Sequence, residues 1–84
     1  MPAVGKSYLR EDYRNARAWV RRKLAAGLRV YVNANAVEWG FGLVAAPMRA
    51  QAIRWVDRQF EGMLPYWRKQ CRMVAVKKPS ELHP

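Results

Sequence analysis

Residues 28–45, LRVYVNANAVEWGFGLVA, decide between two architectures. The run LRVYVNA alternates and is rich in β-branched and aromatic types, which fit a pleated, half-buried surface. In the second run Val37, Trp39, Phe41 and Leu43 occupy alternate positions, so four large apolar side chains share one strand face. Glu38, Gly40 and Gly42 fall on the other. Asn33–Ala34–Asn35 separates the runs, and Asn tolerates the positive φ of tight turns. The stretch predicts a β-hairpin over 28–45, with the glycines marking a bulge or a close backbone approach. Were it irregular, the domain would be mostly helical.

Helical periodicity flanks the hairpin. Leu9, Tyr13, Ala16, Val20 and Leu24 recur at spacings of four, three, four and four, the stripe of an amphipathic helix. Ser7 can cap that helix, Glu11 and Asp12 suit its positive end, and Gly27 is its natural stop. The spacing predicts a helix over 8–26, after a flexible arm at 1–6. On the other side Pro47 suits a first helical turn. Ala52, Ile53, Val56, Phe60 and Met63 follow as a buried stripe, ended by Gly62 and Pro65.

Beyond the second helix, PYWRKQC (65–71) reads as a short helix and CRMVAVKK (71–78) as a short strand, with 79–84 a loose tail. The expected fold is α+β, one domain spanning 1–84: helix, β-hairpin, helix, then a short basic C-terminal helix or strand. Both helices are expected on one face of a small antiparallel sheet. The helices also share a motif, ARAWVRRKL (16–24) and AIRWVDRQF (52–60), with A-x-x-W-V-x-R in common. Both therefore use Trp and Arg in the same relation to the core.

Sixteen Lys and Arg against six Asp and Glu give a net charge of +10, more than a domain this small needs for solubility. Such an excess points to a polyanion or an acidic protein surface. Eleven of the sixteen cations are Arg, whose planar fork matches phosphate and carboxylate. Aromatic side chains and an apolar content of 51% exclude a disordered basic tail. The lone Cys71 excludes an intramolecular disulfide and is expected to be a buried structural thiol. No apolar run is long enough to span a membrane and no signal-peptide region is apparent, so a cytoplasmic protein is expected.

Rotation at 100° per residue sorts the charges. Arg10, Arg14, Arg17 and Arg21 fall on one line beside the apolar stripe, a rail about 16 Å long; Arg22, also a candidate contact, lies about 100° round the helix from it. Trp19 falls on the opposite flank. On the second helix Arg54 and Arg58 are answered by Asp57 and Glu61, and Trp55 lies away from the stripe, covered or available for stacking. A third cluster, Arg68, Lys69 and Arg72, follows Tyr66 and Trp67 in the aromatic-then-basic order of single-strand binders.

Chemistry is thinly represented. The single histidine, His83, is next to the last residue, Ser80 lies in the tail, and the carboxylates are dispersed. No paired Cys, His pair at helical spacing, glycine-rich phosphate loop or acidic cluster occurs, so no catalytic residue, cofactor or metal is expected. The pattern favours sequence-independent nucleic-acid binding through the arginine rail, since no groove-reading motif is present. The alternative is a compact accessory or inhibitor protein, of the kind phages and mobile elements encode, docking on an acidic surface. Val37, Trp39, Phe41 and Leu43 offer a homodimer face in either case.

Overall fold

The computed structural model describes residues 3–37, 40–59 and 73–82, without the side chains of residues 10, 33–37 and 41. The chain runs β1 (Val4–Leu9), a 3-10 turn (Arg10–Asp12), α1 (Tyr13–Ala25), β2 (Arg29–Val37), β3 (Gly40–Ala46), α2 (Arg49–Gln59), β4 (Met73–Val76) and a last 3-10 turn (Pro79–Glu81). The class is α+β, and the hairpin forms as β2 and β3.

The sheet has four strands in the order β1-β3-β2-β4, every neighbouring pair antiparallel. Strands β1 and β2, connected through α1, therefore run parallel with β3 between them. Strands β3 and β4, connected through α2, likewise flank β2. Two β-α-β units are interleaved.

The helices cover opposite faces of this sheet, not one face. Val30, Leu43, Ala45 and Val76 pack with Ala16, Trp19 and Val20 of α1. Their alternate neighbours Tyr31, Val44 and Ala46 pack with Ala52, Trp55 and Val56 of α2. Four consecutive β3 residues, Leu43 to Ala46, are consequently buried, as befits a strand with a helix on both sides. The Cα envelope measures 32 × 31 × 15 Å.

Three N-terminal expectations are corrected. The supposed arm supplies the first half of β1, Val4 to Lys6, where Gly5 and Lys6 pair with Val44 and Leu43. Ser7 lies inside this strand and caps no helix. Leu9 ends the strand with extended backbone and is 54% exposed, so it is not part of the helical stripe. The cause is the sheet: β3 is a central strand, and its second row of N–H and C=O groups needs a partner. The helix begins only at Tyr13, after the 3-10 turn carrying Glu11 and Asp12.

Local chemistry sets the other boundaries. Gly27, at φ 84°, ends α1. Its N–H donates to Leu24 and that of Leu28 to Lys23, the paired bonds of a Schellman motif. Pro47 stands just before α2, and the Met48 N–H donates to Gln51 Oε1 at 3.1 Å, half of a capping box. Asn33–Ala34–Asn35 is not the turn. It lies in β2, where the register steps from Asn33↔Gly42 to Val37↔Gly40, an irregularity beside the two glycines. The C-terminal end is not wholly loose either, because Leu82 is buried and the Lys77 N–H donates to Glu81 Oε2 at 2.9 Å.

Candidate functional site

Helix α1 turns Ala16, Trp19 and Val20 to the sheet and leaves Arg14, Arg21 and Arg22 exposed on its outer surface. A rise of about 1.5 Å per residue puts Arg14 and Arg21 roughly 10 Å apart along the axis. Three backbone steps of one nucleic-acid strand cover about the same length.

The rail is shorter than four arginines. Arg10 belongs to the 3-10 turn before α1, so it is not on the same helix. Arg17 is half-buried and turned aside: its Nη1 donates to the Leu82 carbonyl at 3.1 Å, and its guanidinium lies 6.0 Å from the centre of the Tyr13 ring. Trp19, expected on the outer flank, is only 5% exposed and carries the Lys23 ammonium 5.5 Å from its ring.

On the opposite side of the sheet, α2 exposes Arg54 and Arg58, one turn apart. Together with Ala3, Gln51 and Asp57 they line a cleft of about 430 Å³. Arg54, Arg58 and Gln51 bring donors to this cleft beside the Asp57 carboxylate. Trp55 is half-buried, its six-membered ring against Gly5. A smaller hollow of about 220 Å³ lies between that indole and residues Lys6, Ser7 and Gln59.

No protein-family model, curated protein or solved structure matches the chain.

One arginine had no place in the sequence-based site. Arg49 at the start of α2 donates from Nη2 to the Met73 carbonyl at 3.1 Å and stacks 5.3 Å from the Tyr31 ring. Arg17 and Arg49 thus act alike: each helix commits one arginine to a carbonyl near β4. Arg49 is nonetheless exposed, as are Arg14, Arg21, Arg22, Arg54 and Arg58.

Arg68, Lys69, Arg72, Trp67 and Cys71 lie outside the described residues, as do Trp39, Phe60 and Met63. Leu43 is 1% exposed and packs beneath α1, so the proposed homodimer face cannot include it as free surface. Ile53, expected in the buried stripe, is 40% exposed, because Ala52 and Val56 fill the sheet-facing side of α2. Among the described residues no group of three His, Cys, Asp or Glu gathers to hold a metal. No helix among them is long and apolar enough to cross a membrane.

Proposed function

We propose that this chain is a binding protein, not an enzyme, and that it holds nucleic acid without sequence preference through backbone phosphates. The observation that supports this reading is the division of labour among the arginines. Arg17 and Arg49 make the contacts the fold uses, whereas Arg14, Arg21, Arg22, Arg54 and Arg58 are exposed on outer helix surfaces. Exposed arginines on the outer surfaces of both helices suit a polyanion. The lone Cys71 suits a reducing compartment, so we place the action in the cytoplasm.

A second reading, docking on an acidic protein surface, draws support from Met48 and Ile53, which are exposed beside Arg49 and Arg54. Mixed apolar and Arg surfaces are typical of protein interfaces. A titration with random-sequence duplex from low to high salt separates the two. Phosphate binding through three arginines gives a log–log slope of about −2.7 and is indifferent to Ile53→Asp. Absence of binding at the lowest salt overturns the nucleic-acid reading.

A further inference from the structure

We infer that the domain is two-sided and bridges two separate nucleic-acid duplexes, one on α1 and one on α2. The inference rests on the proposed function and adds to it the number of sites and their disposition.

The sheet stands between the two groups of exposed arginines. Arg14, Arg21 and Arg22 lie on the helix that covers Val30, Leu43 and Ala45, and Arg54 and Arg58 on the helix that covers Tyr31, Val44 and Ala46. Packed layers stand about 10 Å apart, so the two helix axes are roughly 20 Å from each other across the sheet. A Debye length near 8 Å at physiological salt makes the two faces electrostatically independent across that thickness. A single duplex cannot serve both, because its persistence length of about 50 nm forbids wrapping so small a body. Whatever occupies the first face leaves the second open.

Each face has its own geometry. On α1 the three arginines are spread along about 12 Å of helix and follow a run of phosphates. On α2 the pair stands one turn apart at a cleft it shares with Gln51 and Asp57, a more localised site whose carboxylate weakens its hold on an anion. The α1 face should therefore be the tighter one.

The test uses the full chain, a bead-bound random-sequence duplex and a second, fluorescent duplex in solution, at about 0.15 M salt. Wild-type protein is expected to recruit the fluorescent duplex to the beads. The double variant Arg54→Glu/Arg58→Glu should still bind the immobilised duplex yet lose recruitment roughly 30-fold, the effect of two lost phosphate contacts at that salt. Arg14→Glu/Arg21→Glu should also lose recruitment while keeping weaker binding through α2. Circular dichroism of each variant establishes that the fold is retained.

Recruitment that survives either double variant overturns the inference, since a self-associated protein with one face per copy would behave so. Binding by wild type without recruitment overturns it while leaving the proposed function standing. No binding by wild type removes both.

Discussion

The six-membered ring of Trp55 lies against Gly5, in the volume that a β-carbon on residue 5 would occupy. The contact ties α2 to the edge strand β1. Gly5→Ala is therefore expected to cost about 1–3 kcal/mol by overpacking. In a Trp55→Leu background the same change should cost much less. A double-mutant cycle by urea unfolding measures the coupling. Since the indole ring faces Gly5, Trp55→Phe should leave duplex affinity within about twofold of wild type, in contrast to the 1–3 kcal/mol of a stacking tryptophan.

Arg17 and Arg21, one turn apart on α1, should separate stability from binding. Arg17→Met removes the hydrogen bond to the Leu82 carbonyl and should lower unfolding free energy by about 1 kcal/mol. It should leave the salt slope of duplex binding unchanged. Arg21→Ala should do the reverse: stability within about 0.5 kcal/mol of wild type and a slope shallower by about one unit.

Arg49→Met should loosen β4. The strand is four residues long and, among the described residues, pairs only with β2, and the Met73 carbonyl loses its guanidinium partner. Amide exchange over 73–76 should quicken well beyond that over β3, with a stability loss of about 1–2 kcal/mol from the bond and the Tyr31 stack together.

Gly27→Ala forces a β-carbon into the left-handed region, where Gly27 sits at φ 84°. No neighbour lies within 4 Å of that position, so the penalty is conformational, about 1–2 kcal/mol. Gly27→Asn should cost less, because Asn tolerates this backbone. Thermal unfolding of the two variants gives the comparison.

The hairpin was legible because alternation over 28–45 leaves a period-2 signal that burial then confirms at Val30, Leu43 and Ala45. Strand β1 was hidden. VGKSYL is short, lies at an edge with Lys6 and Ser7 exposed, and ends in a leucine spaced like a helical stripe. Tyr13 and Leu24, only partly buried, weigh as much in the helical stripe as Ala16 and Val20 and centre its arc away from Trp19. The fully packed trio Ala16, Trp19 and Val20 marks the true sheet-facing side. The motif A-x-x-W-V is in fact the docking surface of both helices, since Ala16 and Ala52 are fully buried and Trp19 and Trp55 pack on the sheet.

Helical periodicity carries no record of which sheet face a helix covers. The clue lay in the uninterrupted apolar run Leu43–Val44–Ala45–Ala46, which only two-sided burial accommodates. The candidate site was legible as a list of arginines but not as a division among them. Arg17 meets a carbonyl 65 residues away and Arg49 one 24 residues away, and no local pattern announces such partners.

Interleaving of the strands has a consequence for how the molecule forms. Neither β-α-β unit contains a hydrogen-bonded strand pair of its own, because β3 separates β1 from β2 and β2 separates β3 from β4. Only the β2–β3 hairpin is local, and a lone hairpin is marginal in water. Each remaining strand must close a long loop before its pairing rewards it, a topology that folds slowly. Neither β-α-β half can therefore pair its own strands, and cleavage between β2 and β3 should release two fragments that regain structure only together.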